Sequence, residues 1–398
     1  MEITIRRAFL RAAATFACIC LAAPTGAVPA GASVVPSGVK ANASGPSGTA
    51  RELDRAIQEI LENAGVPGVI AGVWIPGQLN YVRAFGVADK DDCSPIRSDM
   101  NMRIGSETKT FTVTALLQLV DRGKVGLDDP ISRYVPGVPD GEHITLRQLA
   151  NMRSGLFPYT ADQDWLRAFH EDPHRQWKPR ELLRFAFAHE NQFAPGTQFD
   201  YSNTNTVLLG LVVEKVTHRS LERAISDMIT RPSDLNHTFL PKAAEFPRPY
   251  PHGYTEETAT GAEADATDWN PSWGWAAGAM ISNLDDLRSW AENVATGKLL
   301  TPATQAERLQ ALPTPAPGDA YGLGIDINHG WIGHAGSLPG YQSLTIYLPD
   351  LKATVVVLAN TDIKSNGENP STLFGRAITR IISPDNVYGA APDQDDVD

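Results

Sequence analysis

Cysteine is scarce in this chain of 398 residues, which has only Cys18, Cys20 and Cys93. The first two fall within an N-terminal segment that reads as removable. A mature chain with Cys93 alone would have neither an internal disulfide framework nor a cysteine-based metal cluster. Long apolar runs are also missing, and no stretch reaches the roughly 20 residues needed to cross a bilayer. Basic runs are absent from the body of the chain, whose net charge is −12; this argues against a nucleic-acid partner. No G-x-S-x-G nucleophile elbow occurs, which argues against an α/β-hydrolase. One H-E-x-x-H string is present, His170-Glu171-Asp172-Pro173-His174. Zinc binding by that string needs both histidines on one face of a continuous helix, and Pro173 breaks a helix interior. Neither a metal nor a cofactor is expected.

What is present begins with a targeting pattern. Arg6-Arg7-Ala8-Phe9-Leu10-Arg11 precedes an Ala-rich apolar segment, Ala12 to Ala23, and Ala30-Gly31-Ala32 offers a small-x-small cleavage site. A signal peptide of the twin-arginine type is therefore expected over residues 1–32, and with it a secreted or cell-envelope protein. Residues 33–50 are rich in Gly, Ser, Pro and Ala and read as a flexible linker. The polar, acidic residues 383–398 read as a disordered tail. With 42% hydrophobic residues over the whole chain, the intervening 51–382 can bury a large core.

Apolar spacing predicts a helix after Arg51 that stops at Gly65, then strands over 68–75 and 79–88 joined by a Pro-Gly turn. A helix starts at Ser106 and stops at Gly123. Between about 126 and 312 the pattern is mostly helical, over 146–152, 180–189, 206–216, 221–229 and 285–295. Strands return over 321–327, 330–333, 342–348 and 353–359, followed by an amphipathic helix over 371–382. Strands at both chain ends with helices between them predict an α/β fold. One antiparallel sheet is built from both ends, with flanking helices and an inserted all-α region at about 126–312. A cleft between sheet and helices is the expected ligand site.

Three short motifs bear on that cleft. Ser106 stands at a helix start, with Lys109 one turn later on the same side. The helix N-terminus stabilises an oxyanion, and a buried amine of depressed pKa can accept the serine proton. By itself, a serine there is more often a cap. Tyr201-Ser202-Asn203 precedes the helix near Thr206 and can bring a phenol beside Ser106 and an amide to a substrate carbonyl, or simply cap that helix. His334-Ala335-Gly336-Ser337 lies at a strand edge, where Gly336 lets a substrate approach closely. There the Ser337 N–H can complete an oxyanion hole with that of Ser106, and His334 can interact with Tyr201. The plainer alternative is a Gly-rich hairpin.

In this order and spacing, the three motifs resemble those of the penicillin-recognising serine hydrolases. The nearer likeness is to the branch of class C β-lactamases, Streptomyces-type D-alanyl-D-alanine carboxypeptidases and β-lactamase-fold esterases. Arg103-Ile104-Gly105, Leu127-Asp128-Asp129-Pro130, Tyr321-Gly322-Leu323-Gly324 and Leu358-Ala359-Asn360 fit the same family. The resemblance implies a β-lactamase/transpeptidase-like fold and an acyl-enzyme on Ser106. Lys109 and Tyr201 would share proton transfer, and His334 would stand where many relatives carry a lysine. Asn203 would orient the acyl group, and Tyr159, Trp273 and Trp275 are candidate cleft walls. Ala335 departs from the Thr or Ser whose hydroxyl helps bind a substrate carboxylate, and the strand before it lacks a basic residue. The expected activity is that of a D-alanyl-D-alanine carboxypeptidase or β-lactamase. An esterase on uncharged esters gains from Ala335. A third reading, of another class, is a pseudoenzyme that binds penicillin or peptidoglycan without turnover. The expected partner is a small-molecule or peptidoglycan-peptide substrate.

Overall fold

The computed structural model describes residues 48–390. The targeting segment expected over 1–32, most of the 33–50 linker and residues 391–398 lie outside them. From the N-terminal side, α1 (Gly48–Ala64) leads into the hairpin of β1 (Gly68–Ile75) and β2 (Leu79–Gly86). Strand β3 (Met102–Arg103) precedes a 3-10 turn, Gly105–Glu107, which runs into α2 (Thr108–Asp121). A largely helical stretch follows, with α3 (Leu146–Ala150), α4 (Gln163–Glu171), α5 (Pro179–Ala186), α6 (Asn203–Thr217) and α7 (Leu221–Ile225). The two-residue strands β4 (Tyr254–Thr255), β5 (Ala264–Asp265) and β6 (Ile281–Ser282) precede α8 (Leu284–Thr296) and α9 (Pro302–Arg308). Then come β7 (Leu312–Pro313), β8 (Asp319–Tyr321), β9 (Asp326–Asn328), β10 (Trp331–Leu338), β11 (Tyr341–Leu348), β12 (Ala353–Ala359) and α10 (Pro370–Ile382).

Eight strands form one sheet in the order β2-β1-β12-β11-β10-β9-β8-β7. N-terminal β1 pairs antiparallel with C-terminal β12, Val69 opposite Ala359, so both chain ends complete the sheet. Its central strands β1, β11 and β12 are buried on both faces, and successive side chains point to opposite sides. Val69, Ala71 and Val73, with Leu344, Ile346, Val355 and Val357, pack on Leu53 and Ile57 of α1 and Phe374 and Ile378 of α10. Ile70, Trp74, Val356 and Leu358 face the second core, shared with α2, α6 and α8.

Helix α2 lies in the middle of that second core and is buried from Thr108 to Leu119. A helix buried all round must satisfy its polar side chains internally. Thr112 donates to the Ala276 carbonyl and Thr114 to that of Thr110, while the Trp290 indole N–H donates to the Thr110 hydroxyl.

The structure differs from the expectations at several points. The region 126–312 is not wholly α, since β4 pairs with β5 and β6 with β3. Two helices, α4 and α9, were not anticipated. The single strand expected over 321–327 is broken into β8 and β9. At the break, Gly324 has φ +64° and its α-carbon packs against Val113, where a Cβ would collide. Helix α4 ends at Glu171, so His170 lies in its last turn and His174 beyond it. Cys93 is disulfide-bonded, contrary to the expectation that it stands alone.

The expected disordered tail is also corrected, for residues 383–390. Tyr388 is only 9% exposed. The Trp331 indole N–H donates to the Asn386 carbonyl at 2.6 Å, Asn386 Nδ2 to the His329 carbonyl at 2.9 Å, and Arg376 Nε to the Gly389 carbonyl at 2.9 Å. One aromatic anchor outweighs the polar composition around it. Truncating it as Tyr388→Ala should lower the unfolding free energy by about 3 kcal/mol in urea titration. A change below about 0.5 kcal/mol, the range of ordinary surface substitutions, would show that the segment adds nothing to the folded body.

Candidate active site

Two glycines bring the nucleophile turn and strand β10 into contact. Gly105 has φ +49°, and a Cβ there would lie 2.5 Å from the Ser337 backbone nitrogen. A Cβ on Gly336 would lie 2.0 Å from the Ile104 carbonyl oxygen. Only a residue without a side chain fits either place. Strand β9 covers β10 only as far as Gly333, which leaves the following edge without a strand partner. Ser106 therefore sits in a 3-10 turn at the head of α2, backed against the stretch of β10 that carries Ser337. Backbone N–H groups of the turn and of Ser337 are the natural donors for an oxyanion between them.

Lys109 has no exposed surface. Its Nζ lies 2.9 Å from Ser106 Oγ, 2.7 Å from Asn203 Oδ1 and 2.8 Å from the Ala277 carbonyl. The Tyr201 ring centroid is 4.7 Å away. Burial lowers the amine to a pKa of about 7, with the Asp326 carboxyl pulling the other way. Near neutral pH an unprotonated amine is thus in hydrogen-bond reach of the serine hydroxyl, as a general base requires. Tyr201 is 37% exposed overall, and desolvation where it faces the site raises its phenol above the ordinary value, partly offset by its interaction with Ser106. Tyr201 is therefore a neutral phenol, able to relay a proton but not to act as a resting base.

His334 meets Tyr201 ring to ring rather than through a hydrogen bond. Its Nε2 lies 3.0 Å from the Tyr321 hydroxyl, while its ring is 6.1 Å from that of Tyr201. Nδ1 lies 2.5 Å from the Ala335 carbonyl, an acceptor, so Nδ1 carries the proton and Nε2 accepts from Tyr321. Burial and the nearby Lys109 lower its pKa to about 3. His334 is a neutral ring bracing Tyr321; it neither bonds Tyr201 nor supplies a cation that depresses Lys109.

Two cavities meet at Ser337, and of the two only the larger is lined by Ser106. The larger, about 460 Å³, is lined by Ser106, Tyr201, Tyr321, His334, Asp319 and Asp326 among others. The smaller, about 230 Å³, is lined by Asn203, Trp165, Phe169, Trp273, Leu338 and Asp362 among others. Ser337 borders both and Gly336 the larger. Of the three expected cleft walls, only Trp273 is one. Tyr159 is fully buried behind it and donates to the Trp273 carbonyl. Trp275 packs instead on Gly210 of α6. Sequence reasoning missed Trp165 and Phe169, which lie on a helix it did not anticipate, and the carboxylates Asp319, Asp326 and Asp362.

A buried carboxyl adjoins the nucleophile from the opposite side. Glu107 turns toward Ser343 and Thr345 of β11, and burial raises its pKa to about 8. A protonated acid is what this apolar position accepts.

The family model described as Beta-lactamase matches residues 53–373. The chain belongs to the beta-lactamase family. Among solved structures, this family member is similar to the D-stereospecific amidohydrolase of a Streptomyces species, with 31% identity and a TM-score of 0.76, covering 84% of this chain and 99% of that one. The D-amino acid amidase of Ochrobactrum anthropi SV3, in complex with L-phenylalanine amide, shows 28% identity and a TM-score of 0.73, covering 83% and 97%. Among curated relatives, Protein flp of Staphylococcus aureus is 24% identical over 84% of this chain, which spans only 66% of that protein's length.

Within this beta-lactamase-family cleft the Gly336 contact yields a direct test. Gly336→Ala should push Ile104 and the serine turn away from β10 and cost about 100-fold or more in acylation rate, as ångström-scale misplacement does. Wild-type acylation in a folded Gly336→Ala variant, checked by circular dichroism, would show that the contact does not position the site.

Proposed function

We propose that this protein is a serine hydrolase that forms an acyl-enzyme on Ser106. Its substrates would be amides and esters of amino acids whose leaving group carries no carboxylate. The observation that carries the reading is the buried Lys109 amine 2.9 Å from Ser106 Oγ, with a pKa lowered to about 7. As Oγ attacks the carbonyl carbon, the neutral amine takes the hydroxyl proton. The resulting ammonium keeps three acceptors, on Ser106, Asn203 and Ala277. The N–H groups of Ser106 and Ser337 receive the oxyanion. The proton passes to the leaving nitrogen or oxygen from Lys109, relayed by Tyr201, and water then hydrolyses the ester by the same route in reverse. An intact nucleophile and base speak against the pseudoenzyme reading.

Proton delivery assigns the two cavities. The leaving group must lie on the Tyr201 side, in the larger cavity, and the acyl group in the smaller one beside Asn203. The acyl cavity has aromatic walls, Trp165, Phe169 and Trp273, and a carboxyl, Asp362, held by the Gly340 N–H and the Thr255 hydroxyl. Burial raises Asp362 to about 6, so a ligand ammonium would find a receptive partner. An amino acid with an apolar side chain and a free α-ammonium has that chemistry. The two neighbours above, one titled a D-stereospecific amidohydrolase and the other a D-amino acid amidase, favour the D-enantiomer and an amide bond. The carboxypeptidase and β-lactamase readings lose ground. Their substrates bring a carboxylate into the cleft, and the lining of the larger cavity contains no lysine or arginine. Export through the Arg6-Arg7 segment is proposed on the sequence pattern alone.

The test is a panel of D- and L-phenylalanine amide, D-phenylalanine methyl ester, a D-Ala-D-Ala peptide and fluorescent penicillin, with intact-mass detection of the adduct. The D-phenylalanine substrates should turn over through an adduct absent from Ser106→Ala. The peptide should react at least about tenfold more slowly, the cost of one unpaired buried charge contact. Preferred cleavage of the peptide would overturn the substrate reading, and an adduct in Ser106→Ala would overturn the nucleophile.

A further inference from the structure

A leaving group without a carboxylate can still be neutral or cationic. The larger cavity discriminates between the two. Asp326 on β9 lines it with 24% of its side chain exposed, and no hydrogen-bond donor among the described residues reaches its carboxyl. The nearest imidazole nitrogen, His334 Nδ1, is 4.0 Å away and directs its proton to the Ala335 carbonyl. Asp319 on β8 lines the same cavity, its carboxyl met by Thr314, Asn328 and the Ala320 backbone N–H, with His329 close by. Two carboxyls thus converge on the cavity from β8 and β9, that of Asp326 without a donor among the described residues.

No lysine or arginine lines the cavity to compete for them. Lys109 already spends its hydrogen bonds on Ser106, Asn203 and Ala277. Arg153 packs over the Phe199 ring at 5.9 Å, donates to the Pro313 carbonyl and does not line the cavity. Tyr201, Tyr321 and His334 are neutral. Burial raises both carboxyls above their ordinary range, and Lys109 already draws Asp326 partway back. An ammonium in the cavity would do the same more directly, whereas an anion would meet two carboxyls and no cation.

We propose that this cavity is a cation subsite, and that the enzyme prefers amides whose leaving amine carries a second, positively charged nitrogen on a short alkyl chain. The inference rests on the acyl-enzyme reading above. In the step concerned, the scissile C–N bond breaks, its nitrogen takes the proton that came from Ser106, and the diamine departs with its second ammonium still charged.

Three D-phenylalanyl amides separate the possibilities, with 3-aminopropylamine, butylamine and β-alanine as leaving groups. In kcat/KM the aminopropylamide should exceed the butylamide by about tenfold, a modest return for two partly desolvated carboxylates, and the β-alanyl amide should be the slowest. Asp319→Asn and Asp326→Asn should each reduce the aminopropyl-to-butyl ratio, whatever they do to the common rate. Binding to Ser106→Ala by calorimetry should show the same preference without turnover. Equal affinity for the two amides, or a ratio unchanged in both Asn variants, overturns the cation subsite. A retained binding preference without any adduct on the wild-type enzyme strikes the acyl-enzyme reading and leaves the subsite standing.

Discussion

A lysine amine taken out of water is the condition on which the rest of the site depends. Lowering Lys109 from its ordinary pKa of 10.5 to about 7 disfavours the charged form by on the order of 5 kcal/mol. The fold sustains this because the amine is never left without partners. Ser106, Asn203 and Ala277 surround it, and the Tyr201 ring lies beside it. Removing water makes the amine a base, and supplying three acceptors lets it carry a proton briefly. An exposed lysine would do only the second.

That environment is assembled from distant parts of the chain. Helix α2 supplies Ser106 and Lys109, the start of α6 supplies Asn203, and the loop before β6 supplies the Ala277 carbonyl. Strand β10 reaches the serine turn because Gly105 and Gly336 have no side chains to hold them apart. The sheet that carries β10 is completed by the pairing of β1 with β12. Catalytic geometry and global topology are therefore set together.

Much of this was readable from residue pattern. Strand β12 has the bounds expected from its unbroken apolar run, and β1 likewise. The Ser106–Lys109 pair was legible because three-residue spacing on a helix is local geometry. What depends on packing was not. His334 was expected to interact with Tyr201; it does so ring to ring, while Tyr321, thirteen residues earlier on β8, takes its Nε2. Tyr159 and Trp275 have the composition of cleft walls, and only the tertiary structure turns them into the core. The carboxylates Asp319, Asp326 and Asp362 come from strand ends and a loop, where no periodicity marks a side chain as facing a cavity. Tyr388 shows the same limit in the tail, where composition averages over the one residue that anchors the segment.

The account turns on Lys109 being neutral when it meets the serine, and the pH dependence of acylation reads that state directly. The measurement is kcat/KM for a neutral ester from pH 5 to 9, in wild type and in Lys109→Arg. The protonated amine cannot accept the serine proton, so the rate should fall tenfold per pH unit below an inflection near 7. His334, held near 3, does not titrate in that window, and Glu107→Gln should leave the inflection in place. Lys109→Arg should lose about a thousandfold, because a guanidinium stays protonated throughout. A wild-type rate that stays flat down to pH 5.5, or an inflection that survives in Lys109→Arg, would contradict the assignment of the buried amine as the base.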